Sequence, residues 1–442
     1  MINSKPIYKI SRYIVPTTIG NKTIIFSTRT GKLTRLSQEL WLSLTTSQIH
    51  LLPEKIKTHL EELKIIIPTE TDEFETIVAE NNRLNNSDTL YEVIQPSADC
   101  QMGCFYCGQN HENKKIDPDT IDKIINTIAS KITNGTYKRL HIGWFGGEPL
   151  IGLNQIRSIT KRLKQICAEN NLEYTAKIVT NGLLLSLATY KELCDELHIS
   201  LIEITLDGIA TDHNKRRNLK VGTKGTFEKI LKNLKKITEI ESRLKATINI
   251  RCNVDRENKN SVIPLIDSLY AEGILQKINF YTAKIHEWGE KDNKENLEGF
   301  DYAKEEVAWI THLIERKHIN SLLPKRNYNT CMATNSATYV YDAYGNVFNC
   351  TEVSYTKNFS ESEFYLGSIE APNTELKTDY KNKWLTEIRN KKTLCYDCNL
   401  YPVCGGSCPK SWGEGNIPCP SFKYNLTTKI KMHYLLKYGT NA

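Results

Sequence analysis

Thr89-Leu-Tyr-Glu-Val-Ile-Gln-Pro96 is an extended, apolar-rich run, and it leads through Ser97-Ala-Asp99 into Cys100-Gln-Met-Gly-Cys104-Phe-Tyr-Cys107. The loop therefore carries three cysteines inside eight residues. Thiolates at this spacing can close around one metal cluster. An iron–sulfur cube prefers four of them, so a three-cysteine loop leaves one iron open to another ligand. On spacing alone, a zinc loop or a set of buried cysteines is also compatible.

Downstream of this loop the chain alternates between two periods. Strands are expected at 89–96, 138–145, 174–179, 199–205, 245–252 and 277–282, with helices at 117–132, 153–170, 187–196, 224–238 and 259–272. Regular strand–helix alternation implies a parallel sheet with helical crossovers. Six such units predict an α/β fold with a partial (β/α)6 TIM-like barrel, whose chemistry sits at the C-terminal strand ends. The residues that carry chemistry fall where that rule places them. The cysteine loop follows the first strand and Gly146-Gly-Glu-Pro149 follows the second.

Together these two motifs resemble the radical S-adenosylmethionine (SAM) superfamily. Thr180-Asn-Gly182, Thr205-Leu-Asp-Gly208 with His213 and Arg216, and Ile250-Arg-Cys-Asn-Val-Asp255 continue the likeness in order. The resemblance implies that Cys100, Cys104 and Cys107 hold a four-iron cluster whose open iron chelates SAM. Gly146, Gly147 and Glu148 would then hold the amino group of SAM. A carboxylate suits an ammonium, and the paired glycines leave room for close backbone approach. Arg251 is expected on the SAM carboxylate, which a guanidinium matches bidentately. Asp207 is expected near the ribose, with a turn-forming Asp-Gly as the alternative. Tyr106 is expected beside the adenine. One electron would cleave SAM to a 5′-deoxyadenosyl radical that abstracts hydrogen from an unactivated carbon, the protein placing the reactants and excluding water.

The chain has thirteen cysteines, ten of them in the patches 100–107 and 331–419. Clustered cysteines in a chain without secretory signals point to metal or catalysis rather than disulfides. Cys167, Cys194 and Cys252 stand apart and are expected in the core. The later patch holds Cys331, Cys350, Cys395, Cys398, Cys404, Cys408 and Cys419, with Gly345 at the tip of a hairpin over Thr338–Val353. Two zinc knuckles are one reading of Cys395-x2-Cys398, but seven cysteines suit a single zinc poorly. The pattern closely resembles the SPASM extension of radical SAM enzymes, which holds two auxiliary four-iron clusters. By that resemblance Cys395, Cys398, Cys404 and Cys419 ligate the outer cluster, and Cys331, Cys350 and Cys408 the inner one. The inner cluster then has an open iron, a non-cysteine ligand or an eighth cysteine, for which Cys252 is the topological choice. Sulfatase-maturing relatives place a catalytic Asp directly after the cysteine equivalent to Cys350. Here Thr351 stands there, followed by Glu352, which is left as either a base or a surface glutamate.

Residues 1–88 read as a small α+β domain and linker. A strand is expected at Lys22–Phe26 and a helix over Leu33–Leu44, with Leu36, Leu40 and Trp41 on one face. A second helix runs from Pro53 to Leu63, a strand covers Ile65–Ile67, and a polar helix spans Asp72–Asn85. The order resembles the winged-helix peptide-recognition element of peptide-modifying enzymes, which adds a leader peptide as a strand. Residues 89–300 are assigned to the radical SAM core, and 301–442 to a bridge and the cysteine-rich iron–sulfur domain. In the bridge, a helix from Asp301 to Lys317 is expected to turn Val307, Ile310 and Ile314 inward, after a charged loop at Glu290–Glu295. Pro420–Tyr438 reads as a closing helix that packs Leu426, Ile430 and Leu435 on the barrel.

Hydrophobic content of 40%, charged content of 25% and a net charge of +7 suit a globular protein. No compact Lys/Arg block indicates nucleic-acid binding, and no apolar run reaches a membrane span. A cytoplasmic enzyme is expected, acting on a ribosomally made precursor peptide with a leader and reduced by a donor such as flavodoxin or ferredoxin. It would install a thioether or carbon–carbon crosslink. The alternatives are a radical dehydrogenase that oxidises a protein Cys or Ser, and, remotely, a non-catalytic multi-zinc protein.

Overall fold

The computed structural model describes residues 7–46, 48–85, 88–222, 225–240, 243–285, 296–318, 321–335, 337–372 and 374–439. The charged stretch 290–295 lies outside them. The N-terminal elements are β1 (Tyr8–Ile10), β2 (Ile14–Ile19), β3 (Lys22–Ser27), β4 (Lys32–Ser37), α1 (Gln38–Thr45), α2 (Glu54–Glu62), β5 (Ile66–Pro68) and α3 (Glu73–Asn85). β2, β3 and β4 form an antiparallel sheet, while β1 pairs with β5. The helix expected over Leu33–Leu44 is thus half strand. Residues 32–37 pair with β3, and Ser37 ends the strand by capping α1, its side chain accepting from Leu40 N at 3.2 Å.

The central sheet follows with β6 (Thr89–Ile94), α4 (Pro118–Asn134), β7 (Arg139–Trp144), α5 (Leu153–Glu169), β8 (Glu173–Thr180), α6 (Leu187–Asp195), β9 (Ile199–Thr205), α7 (Ala210–Arg216), α8 (Thr226–Ile240), β10 (Thr247–Val254), α9 (Val262–Ala271) and β11 (Asn279–Lys284). β6 to β11 are parallel and lie in sequence order, as short right-handed crossovers require. β8 shows how each strand divides its residues. Tyr174, Ala176, Ile178 and Thr180 are buried, and the residues between them are half-buried on the concave face. α4 supplies a matching stripe, Ile121, Ile124, Ile125, Ile128 and Ile132. It starts at Asp117, whose side chain accepts from Thr120 N, with Pro118 in the first turn.

The rest comprises α10 (Gly299–Glu315), β12 (Val340–Tyr341), β13 (Asn346–Phe348), β14 (Tyr365–Ser368), β15 (Ala371–Pro372), α11 (Thr374–Arg389), α12 (Tyr401–Cys404), α13 (Pro409–Gly413) and α14 (Phe422–Tyr438). β12 pairs parallel with β6, and β13, β14 and β15 continue antiparallel from it, so the sheet reaches ten strands. Gly345 has φ +81°, a left-handed turn position that suits glycine. Two helix faces differ from expectation. On α10 the buried residues are Tyr302, Ala303, Trp309 and Leu313, while Val307, Ile310 and Ile314 are half-buried at the margin. On α14, Leu426, Ile430 and Tyr434 are buried and Leu435 is 41% exposed. That face packs with Ile24 and Phe26 of β3 and with Leu400 and Val403, so the closing helix meets the N-terminal sheet. No helix among the described residues is long and apolar enough to cross a membrane.

Candidate active site

The loop carrying Cys100, Cys104 and Cys107 is strapped to the segment after α7. Gly103 N donates to Asn218 O at 2.8 Å, Phe105 N to Arg216 O at 3.0 Å, and Lys220 N to Gln101 O at 3.0 Å. Asn181 Nδ2 reaches Cys100 Sγ at 3.8 Å. Burial, then the Glu148 carboxylate, push the Cys100 thiol up to about 12, and burial raises Cys104 as well. Thiols this sheltered become ligands only when a strongly positive centre offsets their desolvation.

Gly146 and Gly147 lie directly against this loop. A Cβ on Gly147 would meet Asp99 O at 2.4 Å, and one on Gly146, at φ +120°, would meet Gln95 Cβ at 3.0 Å. The glycines thus admit the cysteine loop's own backbone. Glu148 has no exposed surface, and its carboxylate accepts from Thr180 Oγ1 at 2.7 Å, Asn181 N at 2.7 Å and Leu150 N at 3.0 Å. The side chain is consumed in tying the ends of β7 and β8 together, which leaves the Gly146-Gly147 backbone to face the cavity.

Asp207 is likewise fully buried. One oxygen accepts from Asn253 N at 2.9 Å and the other from Tyr106 OH at 2.6 Å. It orients Tyr106, whose hydroxyl also receives Asn253 Nδ2 at 3.0 Å and the Arg217 guanidinium. Burial alone would lower Arg217, but Cys104, Tyr106 and Asp207 hold it firmly protonated. Arg251 donates from Nε to Asn253 Oδ1 at 2.7 Å and lies 3.8 Å from Glu203.

Tyr106, Arg217, Asn253 and Arg251 all line a cavity of about 490 Å3, together with the three loop cysteines. Its far wall carries Thr351, Glu352, Cys408 and Lys410 from the second cysteine patch. Such a volume suits a cofactor-sized ligand. Glu352 is half-buried on this wall; burial raises its carboxyl, opposed by Arg251 and Lys410.

The second patch divides into two sets. Cys395, Cys398, Cys404 and Cys419 line a separate, much smaller pocket of about 20 Å3, with Lys423 Nζ 3.8 Å from Cys398 Sγ. Cys350 and Cys331 share a second apolar cluster. Burial raises both thiols, Cys350 feeling next the charges of Glu352, Cys331 and Cys408. Cys252 joins neither set. It alternates with Arg251 and Asn253 on β10 and points into the helix-covered core, so it cannot supply an eighth thiolate. Cys167 belongs to the same core, and Cys194 packs against it.

Residues 94–269 match the family model of the Radical SAM superfamily. This segment is a radical SAM domain. The chain is 23% identical to the radical SAM cyclopropyl synthase TigE of Paramaledivibacter caminithermalis, over 74% of this chain and 70% of that protein. Among solved structures it resembles anSMEcpe with bound AdoMet, at TM-score 0.59 and 18% identity, covering 80% of this chain and 94% of the other. Streptococcus suis SuiB bound to precursor peptide SuiA aligns at TM-score 0.52 and 16% identity, covering 94% and 98%. At these identities the structural likeness is one of fold.

A radical SAM domain works with SAM and a four-iron cluster, and the donor set of this one fits both. Three thiols, one buried and two half-buried, share one cavity with two guanidiniums and the backbone of a Gly-Gly turn. Two of these residues, Arg217 and Asn253, escaped the sequence reading. Asn253 was findable, because it alternates with Cys252 on a strand whose Arg251 was already placed in the lumen. Arg217 was not, since its neighbour Arg216 gave the same signal. Arg216 is spent in a buried bidentate pair with Asp255, both contacts at 3.0 Å.

Proposed function

We propose that this radical SAM enzyme modifies a ribosomally made precursor peptide and installs a thioether or carbon–carbon crosslink in it. One observation carries the reading: the Cys100–Cys107 loop and the wall bearing Cys408 and Glu352 face each other across one cavity. SAM and its cluster supply a 5′-deoxyadenosyl radical on one-electron reduction. Cys100, Cys104 and Cys107 hold three of the irons. Arg217 and Arg251 offer positive charge to the SAM carboxylate, and the Gly146-Gly147 backbone offers carbonyls to its ammonium. Tyr106, fixed by Asp207, flanks the adenine. Cys395, Cys398, Cys404 and Cys419 hold an outer cluster, and Cys331, Cys350 and Cys408 an inner one, to carry away the electron left after bond formation. An external donor such as flavodoxin or ferredoxin reduces the enzyme.

The relatives support a peptide substrate. TigE is named a cyclopropyl synthase, and structures of two fold relatives contain the precursor peptide SuiA and a Cp18Cys peptide. The leader would add to β4, which has one partner strand among the described residues, whereas α14 packs against β2.

The test is anaerobic reconstitution. The protein should bind about twelve irons and convert SAM to 5′-deoxyadenosine under dithionite. Replacing Cys100, Cys104 and Cys107 with Ala should abolish cleavage and retain about eight irons. Zinc in place of iron would refute the proposal.

A further inference from the structure

We infer that the cavity enclosed by β11, α10 and α14 is a second binding site, and that it takes a single aromatic ring bearing a hydroxyl group. This cavity holds about 150 Å3 and shares no lining residue with the catalytic one. A space of that size with apolar walls accepts one benzene-sized ring. Phe280, Trp309, Leu313 and Leu322 supply those walls, and all four are buried.

Two polar groups interrupt the apolar lining, and a hydroxyl serves both. His318 Nε2 is buried and makes no hydrogen bond among the described residues. Burial keeps the imidazole neutral, opposed by its hydrogen bond with the Leu275 backbone. That bond uses the other ring nitrogen as donor, so Nε2 remains an acceptor. Lys429 is 7% exposed. Its ammonium carries three donors, and its one partner among the described residues is Glu306, at 2.8 Å. The same Glu306 oxygen accepts from Asn425 Nδ2 at 2.8 Å, which pins the pair between α10 and α14. A hydroxyl donates to the imidazole nitrogen and accepts from the ammonium. A bare hydrocarbon fills neither need, and a carboxylate would meet the Nε2 lone pair and the charge of Glu306.

Tyr281 stands between the two cavities. Its ring borders this one, while its hydroxyl donates to Glu203 Oε2 at 2.6 Å in the lumen, where Glu203 lies 3.8 Å from Arg251. A ring bound here is therefore one side chain away from the catalytic cavity. It arrives either on a tyrosine of a peptide or as a free phenol. The inference goes beyond the crosslinking reading and needs no cluster, so the failure of one leaves the other standing.

The experiment titrates the full reconstituted chain with p-cresol, which is the tyrosine side chain as a free molecule, and with toluene, using isothermal calorimetry. p-Cresol should bind at one site, roughly 3- to 10-fold tighter than toluene, the contribution of one hydrogen bond. His318→Phe keeps a ring in place but removes the acceptor, and should bring the two affinities together. Ile310→Phe narrows the cavity and should abolish binding of both ligands. Cooperative thermal melts close to that of the parent report intact folding of each variant. Competition with a blocked Gly-Gly-Tyr-Gly-Gly peptide then separates the sources. Displacement of p-cresol assigns the site to a peptide tyrosine, and its absence assigns it to a free phenol. No p-cresol binding, equal affinities in the parent, or a p-cresol preference that survives in folded His318→Phe would overturn the inference.

Discussion

Arg217 shows what one guanidinium does when two neighbours in sequence face different ways. Arg216 closes α7 and pairs with Asp255, while Arg217 turns into the cavity beside Tyr106 and Cys104. A charge-assisted bond contributes about 1.5–3 kcal/mol. Arg217→Ala should therefore weaken SAM binding roughly 10- to 100-fold by equilibrium dialysis, and Arg217→Lys should restore part of it. Tyr106→Phe should cost about 1–3 kcal/mol in unfolding experiments, because it strips a donor from the buried Asp207. His141 makes a pH prediction. Burial, then Lys177 and Arg139, lower its pKa from 6.5 to about 4, so the unfolded chain takes up the proton first. Its contribution to stability is complete above pH 6.5 and is lost as pH falls towards about 4; His141→Asn should flatten that slope in thermal melts.

At the level of elements, β6 to β11 were legible because each strand alternates and each crossover helix carries its own stripe. The β4–α1 boundary was obscured, because Leu36, Leu40 and Trp41 fit a helical face even though Leu36 sits in a strand. The cap at Ser37 was the signal that would have divided them. The attachment of β12 to β6 could not be read either, since it depends on a pair distant in sequence. Glu92 of β6 is fully buried, bonded to Lys131 of α4 and accepting from Tyr339 N at 2.8 Å. Lys131 also lies 3.4 Å over the Tyr339 ring. Lys131→Met leaves that carboxylate uncompensated and should destabilise the protein by about 3–5 kcal/mol; adding Glu92→Gln should recover much of the loss. Denaturant melts of the single and double variants measure both effects.

Across the whole molecule, nothing local in the sequence revealed that the N-terminal elements pack on the C-terminal ones. Phe26 is buried against Leu400, Val403 and Leu426, and Tyr13 and Phe74 pack with Tyr401 and Cys395. Phe26→Ala should cost about 3–5 kcal/mol and raise amide exchange at 398–404, a segment on the other side of the interface. The hydrogen bond from Thr28 Oγ1 to Asn399 O, 2.7 Å long, spans 371 residues of sequence. During translation at about 5–20 residues per second, the β3 face waits roughly 20–70 s for that partner to be made. The backbone around Cys395, Cys398 and Cys404 is fixed by the same docking event. If Cys395, Cys398 and Cys404 take up iron as proposed, iron delivery and closure of the N-terminal sheet become competing clocks on the nascent chain, and the timing of one sets the access of the other.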